Sequence, residues 1–327
     1  MNWPDVLLVV GNGLSIDLKA SLAPRLDAWP TSSPLSWHVI APDSRFPSDN
    51  YDPSLPMLAF MYDARMALAR TRELEPEAND FELLNAARNL CVKENSRSGV
   101  IELRHLIAIS YSVYQGVVDQ LDLSDWVLGK NLTDLIATGR VLGAVSFNYD
   151  LNLETIIENA QREVWDLADV DGVRGGVPVF KPHGSIHYEL PLSVWEPNDW
   201  DLSYYPLNNT ADHFDAGVRL LPRDQLYAPR ALADLVLPAE TSTITGFQAV
   251  RRGATWLSRV GPWVKMAIIL GVSYMPVDRE EIDQILSVVP KSATVVVIDP
   301  YPSEDLMREL RGRFANVLIW RSGFESL

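Results

Sequence analysis

Two short motifs hold residue types that can do chemistry together. Ser146-Phe147-Asn148-Tyr149-Asp150 puts an amide and a carboxylate after an apolar run, and Lys181-Pro182-His183-Gly184-Ser185 puts an imidazole before a glycine. An amide orients a hydroxyl or a water without titrating, and an imidazole exchanges a proton near neutral pH. A third motif, Gly11-Asn12-Gly13-Leu14-Ser15, is a glycine-rich turn at the end of another apolar run. Glycines let a backbone approach a pyrophosphate, and a helix start behind them adds partial positive charge. Asn148 and His183 thus read as two halves of one active site, with a place for phosphates at Gly11–Ser15.

Each motif has a plainer explanation when taken alone. Asn caps helices and forms turns, Asp150 can cap the next helix, and a lone His is usually structural or exposed. The first turn is G-x-G-x-S rather than G-x-G-x-x-G, because Ile16 stands at the third glycine position; alone it reads equally as a tight strand-to-helix turn. Gly184 allows a sharp turn that would aim the His183 ring into a cleft. His187, four residues on, could form a metal pair with it, but Gly184 disfavours the helix such a pair needs and no third ligand is evident. No metal is expected. Gly13-Leu14-Ser15-Ile16-Asp17 and Gly271-Val272-Ser273-Tyr274-Met275 both lack the last glycine of a serine-hydrolase elbow. Gly129-Lys130 is followed by Asn131, so it is no P-loop.

Elements must bring these motifs together. The run Asp5–Val10 is almost wholly apolar, as in a parallel strand covered on both faces, and Ser15 and Asp17 offer N-cap chemistry for a helix after it. Residues 20–56 are rich in Pro, Ser and Asp and read as loop. Apolar residues recurring at three and four predict helices over Met57–Arg72, Asp80–Lys93, Val100–Leu123 and Trp126–Thr138, a helical layer inserted between two strands. Val141–Phe147 reads as a strand, Asn152–Val164 as a helix and Val177–Lys181 as a short strand. The stretch 190–245, rich in Trp, Tyr, Pro and Asp, reads as an irregular insertion. Helix Ala249–Val260, strand Lys265–Gly271, helix Asp278–Val288, strand Ala293–Ile298, helix Glu304–Phe314 and strand Val317–Trp320 close the chain. Such alternation predicts an α/β, Rossmann-like, doubly wound and mostly parallel sheet, read as a single domain over 1–327 with a helical insertion at 57–138. In such sheets ligands bind at the carboxyl ends of strands. Gly11–Ser15, Ser146–Asp150, Lys181–Ser185, Gly271–Tyr274 and Asp299–Pro302 all fall at predicted strand ends, which points to a nucleotide crevice.

Composition removes several other classes. Of 327 residues, 47% are hydrophobic and 22% charged, the balance of a globular chain. Lys+Arg 28 against Asp+Glu 43 leaves a net charge of −15, which opposes general nucleic-acid backbone binding. Cys91 is the one cysteine, so an internal disulfide and a Cys-rich zinc module are both excluded. Pro4 and Asp5 precede only a short apolar run, and the longest uncharged apolar stretch, Leu106–Val118, is short of the roughly 20 residues of a membrane span. A cytoplasmic, soluble chain is expected.

With its motifs in this order, the chain resembles the sirtuin-like family, and within it the NAD-consuming domains of prokaryotic anti-phage defence. The anchors are Gly11-Asn12-Gly13-Leu14-Ser15, Phe147-Asn148-Tyr149-Asp150, Lys181-Pro182-His183-Gly184-Ser185, Gly271-Val272-Ser273-Tyr274 and Ile298-Asp299-Pro300; Asn79-Asp80-Phe81-Glu82 is similar to a segment of the defence-associated branch. The resemblance implies NAD as substrate, held at its phosphates and nearby ribose by Gly11, Asn12, Gly13 and Ser15. It implies that Asn148 positions the nicotinamide ribose and a water, that Asp150 contacts the nicotinamide end, and that His183 is the general base. It gives Gly271 and Ser273 the phosphate and ribose track, and Asp299 the adenosine ribose. The four-cysteine zinc module of sirtuin deacylases is missing between the His motif and the later glycine motif, which argues against deacylation. Asn12 replaces the alanine usual in deacylases. The implied activity is NAD glycohydrolysis to nicotinamide and ADP-ribose; a non-catalytic NAD or ADP-ribose-binding subunit and an ADP-ribosyltransferase are the other readings. A free NAD hydrolase would poison its own cell, so restraint is expected from homo-oligomerisation or from a partner such as a hexameric HerA-type ATPase.

Overall fold

The computed structural model describes residues 3–22, 62–94 (save 77 and 79), 97–169, 175–189, 218–226, 233–237 (save 236) and 248–324 (save 277). In chain order its strands are β1 (Val6–Val10), β2 (Val141–Ser146), β3 (Val164–Asp166), β4 (Val177–Phe180), β5 (Gly184–Glu189), β6 (Arg219–Leu220), β7 (Ala233–Leu235), β8 (Met266–Leu270), β9 (Thr294–Ile298) and β10 (Asn316–Trp320). Its α-helices are α1 (Gly13–Leu22), α2 (Tyr62–Leu74), α3 (Asp80–Lys93), α4 (Arg97–Val118), α5 (Val127–Ala137), α6 (Asn152–Asn159), α7 (Gln248–Val260), α8 (Arg279–Ser287) and α9 (Glu304–Arg313). The chain divides into two compact units, the first built from Met1–Arg25, Leu121–Pro182 and Gln248–Leu327, the second from Leu26–Gln120 and His183–Phe247.

The first unit is a Rossmann-like α/β fold. Seven strands form one sheet in the order β10-β9-β8-β1-β2-β4-β3, and every pairing is parallel. All five residues of β1 are buried, as a central strand covered on both faces requires. Successive side chains of a strand point to opposite faces. Leu7 and Val9 join a cluster with Leu257 of α7, Ile282 and Ile285 of α8, and Leu306 and Leu310 of α9. Val6, Leu8 and Val10 therefore face the other side, where α1, α5 and α6 supply the buried Leu14, Leu18, Leu132, Ile156 and Ile157. The chain winds outward from β1 through β2 to β3 and β4, then returns to the other side of β1 with β8. Strand order reverses there, at the point where doubly wound sheets bind ligands.

Register fixes where the loops fall. Val10 pairs with Ser146 on one side and Leu270 on the other, Leu270 with Ile298, and Ile298 with Trp320. The motifs at Gly11, Phe147, Gly271 and Asp299 thus leave one edge of the sheet together, as the sequence predicts.

Several local expectations are corrected. Helix α1 begins at Gly13, so Ser15 and Asp17 lie inside its first turns and are not N-caps. Asp17 instead accepts a 2.7 Å bond from Trp126 Nε1, which ties α1 to the start of α5. Helix α6 stops at Asn159 rather than Val164: Gln161 takes a left-handed φ of 58°, and Val164–Asp166 becomes the edge strand β3. Strand β5 begins at Gly184, where only a sharp turn was expected. Helix α5 belongs to the first unit, apart from α2, α3 and α4 in the second. The segment 23–61, with most of the expected long loop, and nearly all of 190–245 lie outside the described residues, as does Asn79.

In the second unit α2, α3 and α4 pack on one another, and α4 packs against β5 and β7. Arg104 on α4 donates to the Leu235 carbonyl of β7 at 2.8 Å, and Glu102 accepts the Ala64 amide in the first turn of α2 at 3.0 Å. A carboxylate there satisfies an amide that has no intrahelical partner and suits the helix dipole. Strand β5 is the centre of an antiparallel sheet, β6-β5-β7. Among the described residues, no helix is long and apolar enough to cross a membrane.

Candidate functional site

The turn after β1 and the turn after β8 touch backbone to backbone. Gly11 N–H donates to Leu270 O, and Gly13 N–H donates to Gly271 O, each at 2.9 Å. A Cβ on Gly13 would lie 2.3 Å from Gly271 Cα, and one on Gly11 would lie 2.6 Å from Gly271 O. Gly271 also holds a φ of 54°, the left-handed region that L side chains disfavour. The glycines of both motifs are thus required by this seam, and the Gly13 amide that the family resemblance assigns to phosphate is bonded to Gly271.

Beside the seam lies a buried polar cluster drawn from α1, the β2–α6 turn, α6 itself and the end of β4. Ser15 Oγ is its hub. It donates to Asp150 Oδ2 at 2.5 Å and accepts from Asn148 Nδ2 at 3.2 Å and Asn152 Nδ2 at 3.1 Å. That fills the one donor and two lone pairs of a hydroxyl. Asn148 Nδ2 also donates to Gly11 O at 3.0 Å. Both amide hydrogens of Asn148 are therefore committed, which fixes the orientation of the group and leaves its carbonyl Oδ1 as the remaining acceptor. Asp150 Oδ1 accepts the Asn152 backbone amide at 3.2 Å. Asp150 is only 2% exposed, so its carboxylate is turned to Ser15 and Asn152.

Lys181 closes the cluster from the β4 side. Its ammonium donates to the Asp150 backbone carbonyl at 2.5 Å and to Glu154 Oε1 at 3.0 Å, and its side chain is fully buried. Glu154 Oε2 is buried with no hydrogen-bond partner. Burial pushes the Asp150 carboxyl above its ordinary range; the Lys181 charge, the Ser15 hydroxyl and the Asn152 amide oppose that, and Glu154 adds to it. Asn152, Glu154 and the contacts of Lys181 were not foreseen from sequence. The available signal was spacing: Asp150 and Glu154 stand four apart across a helix start, and Lys181 already lies in the His183 motif.

The remaining candidates are more open. Ser273 is exposed, two residues past Gly271, while Tyr274 is buried and donates to Asp283 at 2.7 Å. Asp299 follows β9 and accepts the Tyr301 amide at 2.7 Å, an Asx turn that leaves Tyr301 exposed. Asn12 is exposed in the turn before α1. Gly11, Gly13, Ser15, Asn148, Asp150 and Gly271 are thus brought together, with Ser273, Asp299 and Asn12 on the same sheet edge.

His183 opens the second segment of the second unit, in the turn before β5, and is half-buried. Gly184 takes a φ of 79°, so the sharp turn expected there is present. His187 lies in β5 with Nδ1 2.8 Å from Ser185 Oγ, which gives its ring a protein partner. Among the described residues, no group of three His, Cys, Asp or Glu is placed to hold a metal ion.

No protein-family model matches the chain, and no curated protein is similar to it in sequence.

Proposed function

We propose that this chain is an NAD glycohydrolase that cleaves NAD to nicotinamide and ADP-ribose. One observation supports this most: the hydrogen inventory of Asn148. With both amide hydrogens spent on Gly11 O and Ser15 Oγ, the side chain offers only an acceptor, at the strand-order reversal of a Rossmann-like sheet. A fixed acceptor suits a ribose hydroxyl or a water O–H and does not suit a phosphate. In the reaction the bond from ribose C1′ to the pyridinium nitrogen breaks, and its electron pair neutralises the departing nicotinamide. Water oxygen bonds to C1′ and gives up a proton. His183, two residues beyond Lys181, is assigned to take it, from its motif. Orientation of the reacting groups contributes up to about 7–11 kcal/mol in ideal cases, and a general base about 10²–10⁴-fold. In the same reading the enzyme is an effector of anti-phage defence, restrained by self-assembly or by an ATPase partner.

The test is incubation of purified protein with NAD and separation of the products. Free nicotinamide and ADP-ribose in equal amounts are expected, with loss of both in Asn148→Ala and His183→Ala proteins that keep the wild-type circular dichroism. Nicotinamide with a labelled macromolecular acceptor makes the protein a transferase. Binding without turnover, with and without the product of the adjacent gene, makes it a binding subunit.

A further inference from the structure

The buried polar cluster has a consequence for which protonation state the site requires. Ser15 Oγ has one hydrogen and two lone pairs, and three bonds use all of them: the hydrogen goes to Asp150 Oδ2, and the lone pairs receive Asn148 and Asn152. Asp150 Oδ1 receives the Asn152 backbone amide. A proton placed on Oδ2 towards Ser15 would displace the donor already there, and a proton on a remaining lone pair would add a donor that none of these bonds accepts. A proton on Oδ2 would point at Ser15 Oγ, which would then face three donors with two lone pairs. The Asn148 or the Asn152 side chain would have to leave. An ionised Asp150 is the state that keeps all of these bonds with no further donor to place.

Burial works against that charge, because Asp150 is 2% exposed. From α1 it meets the Ser15 hydroxyl; from the β2–α6 turn and α6, Asn152 and the acidic Glu154; from the end of β4, Lys181. Lys181 is the one buried cation among the described residues of this unit. Its ammonium reaches the cluster through the Asp150 carbonyl and Glu154 Oε1 and touches neither Ser15 nor Asn148.

We propose that Lys181 is a positioning residue: its charge keeps Asp150 a carboxylate, and Asp150 holds Ser15 and through it the Asn148 amide. Glu154 acts in the opposite direction, so the pair sets the pH below which Asn148 loses its fixed orientation. The link to turnover rests on the NAD-cleaving reading; the orientation of Asn148 does not.

Two readouts test this. The first follows the side-chain amide resonances of Asn148 and Asn152 against pH in the full chain without NAD. The second is nicotinamide release against pH. Lys181→Met should move the acidic transition in both upward by about one pH unit or more, as loss of a neighbouring opposite charge does. Lys181→Arg should restore it towards wild type, and Glu154→Gln should move it downward. Asp150→Asn should lack the fixed Asn148 resonances at every pH. Opposite signs from Lys181→Met and Glu154→Gln cannot come from general damage to packing. If Lys181→Met does not fold, the downward shift in Glu154→Gln and the transition of Lys181→Arg decide. Transitions at one common pH in wild type, Lys181→Arg and Glu154→Gln, or equal loss of activity at all pH values in a folded Lys181→Met, overturn the proposal. Amide transitions that shift as expected in a protein that never releases nicotinamide would leave Lys181 in its role and remove the NAD-cleaving reading instead.

Discussion

Replacing Gly13 by alanine gives a result whose sign alone tests the seam between the first and the β8 turns. Gly13 is the first residue of α1 and its φ is not left-handed, so in open space alanine would stabilise by about 0.4–1 kcal/mol through the unfolded chain. The structure puts the new Cβ 2.3 Å from Gly271 Cα, where ordinary contacts begin near 3.4 Å. The two turns must part by about 1.1 Å, the difference of those two distances. Both sides are backbone, so no side chain can swing aside. Overpacking of this kind costs about 1–3 kcal/mol, and weakening the Gly13 N–H to Gly271 O bond costs about 0.5–1.5 kcal/mol more. Net destabilisation should be about 1–4 kcal/mol, out of a total of about 5–15 kcal/mol. Gly271→Ala meets the same clash and adds about 1–2 kcal/mol for its left-handed backbone. Urea unfolding followed by tryptophan fluorescence, without nucleotide, measures both. The expected order is wild type, then Gly13→Ala, then Gly271→Ala. A Gly13→Ala protein as stable as wild type or more so would refute the seam and return the glycines to the phosphate-binding reading.

Further outcomes follow from the same structure. Asn148→Asp replaces two committed amide hydrogens by acceptors facing Gly11 O and Ser15 Oγ; it should be less stable than Asn148→Ala in the same urea experiment at pH 7, and equally unable to release nicotinamide. Trp126→Phe loses the bond to the Asp17 carboxylate and should cost about 1.5–3 kcal/mol, the worth of a hydrogen bond to a charged group. The Tyr274 hydroxyl is pushed up to about 12, by burial first and then by Asp283. A folded value above the unfolded one gives stability that is complete below pH 10 and lost as pH rises towards 12. Tyr274→Phe should remove that part of the alkaline decline, and its ultraviolet titration should lack one tyrosine that ionises near pH 12 in the wild type.

The parts of the fold legible in the sequence were those whose physics is local. β1, β2, β8, β9 and β10 are short apolar runs bounded by turns, and α3, α7, α8 and α9 show regular apolar spacing. Among the strands that were missed, β3 and β5 escaped for different reasons. β3 has three residues and follows a helix whose end depends on the left-handed Gln161, a conformation that no side-chain preference of Gln signals. All six residues of β5 are buried, yet Ser185, His187 and Glu189 alternate with Ile186 and Tyr188. Alternation of that kind reads as a half-exposed strand at best; here Ser185 pairs with His187, and Glu189 with Arg219. In the site, Asn148 and Asp150 were legible from residue type and place. Their partners were not, because Ser15 meets Asp150 across 135 positions of the chain, a contact that only the folded sheet creates.

The central place of β1 constrains how this protein can be made. Val6 pairs with Met266 on one side and with Val141 on the other, so the strand's second partner is encoded about 260 residues later. At ribosomal rates of about 5–20 residues per second, β8 emerges roughly 13–50 s after β1. For that interval Val6–Val10, five consecutive apolar residues, has a free edge and no finished sheet to enter. A nascent chain in this condition is a substrate for chaperones and prone to strand-edge association. The first unit acquires the β1–β8 pair only once β8 has been synthesised, so the sheet edge proposed here to bind NAD would come into being only after that strand has emerged.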